Sequence, residues 1–166
     1  MKRSAFTLLE MLIAISILSI MMIFLYKSYS TLNRSNVIFK NEVEVLENIK
    51  LKKKILFLDF SVSKLGSVKI ESLDRQNDIV LMKSANSIHK RFNPYIGYVV
   101  SGDKLYRIES LKPLVYPLDV NSEFDVDEFG EVSRFRVFKS NTSYIIDVEF
   151  KNSQKILLKV KALNEK

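Results

Sequence analysis

The sequence predicts an α+β fold, in which one long N-terminal helix packs against an antiparallel β-sheet. Two observations predict it. Residues 6–59 contain no Gly and no Pro, and residues 25–46 carry apolar side chains at three- and four-residue steps, which is the period of a helix. After Gly66, the first Gly of the chain, apolar and polar residues alternate, and this period of two is typical of half-buried strands.

The composition suits one domain together with a membrane segment. The chain has 166 residues, of which 47% are hydrophobic, and it contains no Cys. Disulfides, thiolate metal sites and cysteine nucleophiles are therefore excluded. The net charge of +7 is compatible with anionic lipid or nucleic acid, but the lysines are scattered along the sequence. Scattered charge favours a solvated surface.

An apolar run near the N-terminus predicts a membrane span. Residues 6–26 contain no Gly, Pro, Lys, Arg or Asp, and about 20 such residues in a helix cross a hydrocarbon core of ~30 Å. The run is longer than the apolar region of a secretory signal peptide, and no small-x-small cleavage site follows it. Basic residues flank both ends, so the positive-inside rule alone leaves the orientation open.

The predicted helix continues beyond the membrane to residue 65, and residues 66–166 form a β-rich head. Residues 112–120 cannot form a central strand, because they include Pro113 and Pro117. An antiparallel sheet packed on the distal half of the helix follows from this order of elements. The predicted strands are residues 67–73, 78–83, 95–101, 104–110, 131–138, 143–150 and 155–163.

Catalytic chemistry is poorly supported, and we predict that the chain is not an enzyme. His89 is the only His, and without a metal-spaced partner it is interpreted as a polar loop residue. The acidic stretch 119–131 contains Asp125 and Asp127 but fails the calcium-loop template, so it is interpreted as a solvated loop, with a noncanonical calcium site as the minor alternative. The four glycines never cluster into a phosphate-binding loop. No catalytic residue, metal site, cofactor or small-molecule substrate is predicted.

One carboxylate interrupts the apolar run. Placing Glu10 in hydrocarbon costs roughly 2 to 3 kcal/mol, so an unpaired Glu is expected there only if it has a use. The favourable position of an acid in the first turn of a helix explains its place in the sequence. It does not explain burial in a membrane.

The residues KRSAFTLLEMLIAISIL, 2–18, resemble the class III signal of type IV pilins and type II secretion pseudopilins. The resemblance implies a pilin-like fold, cleavage of the leader 1–5 between Ala5 and Phe6 by a prepilin peptidase, and methylation of the new amine of Phe6. Ala5 stands where the family usually has Gly. The cationic amine and Glu10 then lie four residues apart on one helical face, and each can neutralise the other within or between subunits.

By this resemblance Glu10 pairs with the amine of a neighbouring subunit and sets the register of a filament whose core is the helix of residues 6–28. Residues 29–65 continue the helix into the periplasm. The protein is then a single-pass inner-membrane protein with a periplasmic head, and its partners are other pilin-like subunits and the prepilin peptidase, which is also the methylase.

Two later segments narrow the resemblance to one type of pseudopilin. Residues 44–61 and 91–114 resemble parts of J-type minor pseudopilins, which implies I-type and K-type subunits as partners at the tip of a pseudopilus in type II secretion. A minor pilin or competence pseudopilin whose basic head contacts DNA is a second hypothesis. A membrane-anchored periplasmic binding domain, in which Glu10 is incidental, is a third.

Overall fold

The computed structural model describes residues 7–64, 66–118 and 123–163. Its elements are one helix followed by seven strands, and this confirms the predicted pilin-like α+β fold. The chain divides into two compact units, Met1–Ile49 and Lys50–Lys166. In order, the elements are α1 Leu8–Ser61, β1 Lys69–Ser72, β2 Asp78–Lys83, β3 Tyr95–Ser101, β4 Lys104–Ser110, β5 Asp125–Ser140, β6 Ser143–Phe150 and β7 Lys155–Lys161.

The first unit is helical throughout residues 8–49. Its apolar part is long enough to cross a bilayer. The hydroxyls of Ser16 and Ser19 donate to the carbonyls of Leu12 and Ile15, each at 2.8 Å. The helix therefore satisfies these polar groups internally, as a segment in hydrocarbon requires. Such a helix suggests a membrane-anchored protein.

The second unit contains a curled antiparallel sheet in which the strands follow one another in chain order. The long strand β5 pairs with β4 through residues 125–131 and with β6 through residues 132–140, and both pairings contain a register shift. Gly130 lies next to this change of partner and has a φ of 111°, a conformation that L side chains rarely adopt. Beyond it, Phe135 of β5 forms an isolated bridge with Asn77, which directly precedes β2.

Two element boundaries differ from the sequence-based expectation. Helix α1 ends at Ser61 and not at residue 65, because the chain then leaves to join the sheet, where the amide of Lys64 donates to the carbonyl of Lys83 at 2.7 Å. Strand β5 begins at Asp125, so the interpretation of residues 125–131 as a solvated loop was wrong. Pairing with β4 overrides the low strand propensity of these acidic residues.

Strands β2, β3 and β4 are buried on both faces, whereas alternation had predicted half-buried strands. On one face the end of α1 contributes Leu56 and Phe60, and the Phe60 ring lies 5.5 Å from that of Tyr144 and 6.4 Å from that of Tyr98. The opposite face is covered by the segment between β4 and β5. Its side chains Leu114, Leu118 and Phe124 pack on Ile79, Leu81, Val99 and Ile108.

A fully buried ionic cluster joins α1 to the sheet. Asp59 of α1 and Arg107 of β4 are both 0% exposed, and the Arg107 Nε lies 2.8 Å from Asp59 Oδ2. Arg107 Nη1 lies 2.8 Å from Glu109 Oε2, and Tyr98 donates its hydroxyl to Asp59 Oδ2 at 2.6 Å. Since a buried charge is tolerated only with partners, these groups fix how the helix end lies on β3 and β4.

The same cluster holds the loop between β2 and β3. Asn86 donates to Asp59 Oδ1 at 2.6 Å, and the amide of Ile88 donates to Glu109 Oε2 at 3.0 Å. The hydroxyl of Ser87 donates to the other oxygen of Glu109. One set of carboxylates therefore organises a helix, two strands and a loop.

The cluster shifts the pKa values of its members. Burial and the nearby Asp59 carboxylate raise the pKa of Tyr98, so its hydroxyl remains a donor. Burial opposes ionisation of Glu109, but hydrogen bonds from Ser87, Arg107 and the Ile88 amide hold its pKa below the usual value. Burial alone would lower the pKa of Arg107, but the bonds to Asp59 raise it above the ordinary range.

Replacement of Asp59 by Asn should strongly destabilise the head, because it leaves the Arg107 guanidinium buried without its main counter-charge. We expect Asp59→Asn to lower the free energy of unfolding by about 3–5 kcal/mol. Chemical denaturation followed by tyrosine fluorescence measures this, since the chain contains no Trp. The control is Glu128→Gln, which removes the exposed Lys104 pair and should change stability by at most about 1 kcal/mol. Equal effects would contradict a special role for the buried cluster.

Stability should also decrease in acid. The folded pKa of Glu109 lies below its unfolded value near 4.5, so its stabilising contribution is complete above that value and is lost as pH falls through the folded pKa. We expect Glu109→Gln to be less stable than the wild type at neutral pH and to show a shallower loss between about pH 5 and about pH 2. Denaturation curves across this range measure both effects. As a control, Glu71→Gln, at an exposed position of β1, should lose stability with falling pH as steeply as the wild type. If Glu109→Gln also loses stability as steeply as the wild type, Glu109 does not cause the acid sensitivity.

Candidate functional site

The candidate site is the start of helix α1, where Thr7 and Glu10 form a reciprocal cap. The Thr7 amide and hydroxyl donate to Glu10 Oε2 at 2.9 and 3.0 Å, and the Glu10 amide donates to the Thr7 hydroxyl at 3.3 Å. This is the capping-box arrangement, in which two side chains satisfy amides that the first helical turn leaves free. Thr7 and Glu10 have the residue types and the three-residue spacing that this box requires.

The cap directs the Glu10 carboxylate toward the N-terminal end of the helix. Oε2 accepts both hydrogen bonds, while Oε1 has no partner among the residues that the structure describes. An ionised carboxylate has about four acceptor positions, so the cap leaves capacity for a further cationic donor. The arrangement can therefore bind an ammonium group without disrupting the helix start.

The sequence-predicted site is only partly within the described residues. Glu10 lies in the first turn of α1, where its helical position was expected. Ala5 and Phe6 lie outside the described residues, so cleavage between them and methylation of Phe6 stay predictions. The reciprocal bond from Thr7 was missed, although its signal, Thr followed by Glu three residues later before an apolar run, is visible in the sequence.

The side chains that surround Glu10 are apolar on every face of the helix. Leu8, Leu9, Met11 and Leu12 are all exposed in the single chain. A helix that is apolar all round requires lipid or other helices as its surroundings. Glu10 is thus a charged group on an otherwise apolar surface.

The residues weighed from the sequence as possible metal ligands, His89, Asp125 and Asp127, lie in the head. His89 lies in the loop between β2 and β3, as interpreted, and its Nε2 is 3.0 Å from Asp127 Oδ2. Asp125 pairs with Arg91, whose Nη2 is 2.6 Å from Oδ2. Both carboxylates are thus in contact with side chains of the same loop, Asp127 with His89 and Asp125 with Arg91. In residues 7–64, 66–118 and 123–163, no three His, Asp or Glu side chains are grouped as metal ligands.

The buried cluster of Asp59, Arg107 and Glu109 was not recognised from the sequence. In strand β4 the polar residues alternate with apolar ones, and this pattern normally places them toward water. Only the docking of the helix end turns that face into the interior. The cluster stabilises the packing of the helix end on the sheet. Arg107 Nη1 also lies 3.5 Å from Asp127 Oδ2, and Asp127 connects the cluster to the loop that carries His89.

Comparison with known families supports the interpretation of the N-terminus. Residues 1–26 match the family described as the prokaryotic N-terminal methylation motif. Neither a curated protein nor a solved structure matches the chain. The matched segment includes the capped helix start with Thr7 and Glu10. It supports a type IV pilin-like protein, which interacts with other pilins and with a prepilin peptidase, and it suggests a structural role over an enzymatic one.

Proposed function

We propose that this protein is a minor pseudopilin of a type II secretion system, which assembles at the tip of a periplasmic pseudopilus and supports protein export. The observation that carries the proposal is the methylation motif over residues 1–26 together with the orientation of the Glu10 carboxylate toward the helix N-terminus. The chain would be held in the inner membrane with its head in the periplasm. Its activity would be assembly.

The chemistry of assembly follows from the helix start. Cleavage between Ala5 and Phe6 would create an ammonium group one residue before the Thr7 cap. That cationic group could donate a hydrogen bond to Glu10 Oε1, the oxygen that the Thr7 cap does not use. In a neighbouring subunit the same pairing would neutralise both charges as the apolar helices meet, and in low dielectric a misaligned pair is strongly disfavoured. The pair would therefore set the axial register between subunits.

The head supports the minor-pseudopilin assignment through two segments. Residues 44–61 and 91–114, which resemble J-type subunits, contain Asp59 on one side and Tyr98, Arg107 and Glu109 on the other. The buried cluster bonds these segments to each other. The resemblance thus falls on the residues that hold the head together. I-type and K-type subunits are the proposed partners.

Processing should depend on a prepilin peptidase. We expect the membrane-extracted chain to begin at N-methylated Phe6 in cells that contain the peptidase and at Met1 in cells that lack it. Intact mass measurement and N-terminal sequencing distinguish the two forms. As a matched control, Glu10→Gln leaves Ala5 and Phe6 unchanged and should still be cleaved. A chain that begins at Met1 in both cells would leave Glu10 without the ammonium partner and would refute the assembly mechanism.

Assembly should depend on the charge of Glu10 and not on its cap. Glu10→Gln keeps an oxygen acceptor for Thr7 but cannot neutralise an ammonium group, so cross-linking to other pilin-like subunits should fall at least tenfold, about 1.4 kcal/mol. Thr7→Val removes the side-chain part of the cap and keeps the charge, and it should retain most cross-linking. Full cross-linking by Glu10→Gln would contradict the mechanism.

The same variants separate the secretion hypothesis from its alternatives. In cells that carry Glu10→Gln as the only copy, exported proteins should accumulate folded in the periplasm. Loss of DNA uptake or of surface pili, with normal export, would overturn the secretion assignment and keep the pilin-like class. No phenotype in either process would favour a membrane-anchored binding domain.

A further inference from the structure

Strand β7 forms one edge of the sheet and leaves that edge open. It is last in the strand order, and residues 155–161 pair with β6 on one side. On the other side, no backbone hydrogen bond joins β7 to any residue within the described part of the chain. An unpaired row of amides and carbonyls is a template for another strand.

The exposed face of β7 carries mainly positive charge. Lys155, Leu157, Lys159 and Lys161 alternate along this face, and the intervening Ile156 and Val160 are buried. Lys155 Nζ lies 3.4 Å from Asp147 Oδ1. Lys159 and Lys161 have no ion-pair partner among the described residues. The edge therefore presents two cations whose charge is not neutralised within that part of the chain.

An apolar stripe reaches this edge across the outer face of β5 and β6. Phe138 pairs with Ile145, and Ile145 is in register with Lys159, so Leu157 is its diagonal neighbour on the same face. Phe138 is 47% exposed and Leu157 is 62% exposed. An exposed apolar stripe that ends at an open edge provides an anchor for a partner.

The carboxylates on the same face of β6 already form ion pairs within the chain. Asp147 Oδ2 lies 2.6 Å from Arg134 Nη2, and Glu149 lies 3.6 Å from the same nitrogen. What remains for a partner is apolar surface next to unneutralised lysines. Lysines alone would only protect the edge against aggregation, but Leu157 with Phe138 adds a favourable contact area.

The charge pattern determines which strand fits. A second copy of β7 would place lysines opposite lysines, and like charges in directly opposed positions are destabilising. A strand with acidic side chains opposite the lysines and an apolar side chain opposite Leu157 is complementary in both respects. Its inward side chains would extend the buried row of Ile156 and Val160.

We propose that an extended acidic segment of a partner protein adds to β7 as a further antiparallel strand. Main-chain bonds supply the affinity, and Lys159 and Lys161 select acids over other sequences. The inference concerns only the Lys50–Lys166 unit and is independent of the pairing of Glu10. Strand addition at β7 can therefore be tested separately from helix assembly.

The test uses the full-length chain in detergent micelles and a labelled peptide. The peptide is a heptamer with Glu at its first, third and seventh positions and Val elsewhere, which matches the exposed face of β7 in antiparallel register. Fluorescence anisotropy should show binding that weakens as salt is added. Two further peptides carry N-methyl groups on alternate backbone nitrogens, one at its third, fifth and seventh positions and the other at its second, fourth and sixth positions. Because only one set faces β7, one of them should lose at least tenfold in affinity and the other should retain it.

Charge reversal provides the matched variants. The double variant Lys159→Glu with Lys161→Glu should bind the peptide at least tenfold more weakly, whereas Lys69→Glu on β1, at the opposite edge of the sheet, should bind normally. Absence of peptide binding, equal binding of both N-methylated peptides, or equal effects of the two charge reversals would each overturn the proposal. Self-association that the double variant abolishes would also overturn it, since the partner would then be a second copy.

Discussion

The buried charge of Asp59 is the constraint on which the head depends. A carboxylate at the end of α1, removed from water, requires donors on every side, and it obtains them from Arg107, Tyr98 and Asn86. These donors come from two strands and a loop. Their positions are correlated, because no one of them can move without leaving a buried polar group unsatisfied. The aromatic packing of Phe60 against the sheet then follows from where Asp59 is held.

The two ends of α1 solve the same electrostatic problem in different ways. Asp59 is neutralised within the chain by Arg107. Glu10, at the apolar end, receives only the hydrogen bonds of its Thr7 cap within the described residues. A carboxylate neutralised internally stabilises a fold, whereas one whose counter-charge must arrive with another molecule couples charge neutralisation to association. This contrast is the physical basis for the proposal that Glu10 acts in assembly, whereas Asp59 stabilises the head.

The elements could be predicted from local patterns because each pattern is physically local. The long helix follows from the absence of Gly and Pro, and the strands follow from alternation and from turn residues such as Gly102. The extension of β5 to Asp125 could not be predicted, since its acidic residues are held in a strand by pairing with β4. The early end of α1 at Ser61 also depends on a distant partner, the Lys83 carbonyl.

The sequence by itself determined the secondary structure order, the apolar span and the chemical identity of the candidate site, because a membrane-length helix and a motif such as residues 1–26 are contiguous. Only the tertiary structure decided that Arg107 and Glu109 are buried and that β2, β3 and β4 are covered on both faces. It also decided that the charged and apolar residues of β7 lie on an open edge. Burial and edge position depend on which distant segments meet, and that depends on the packing of the whole head.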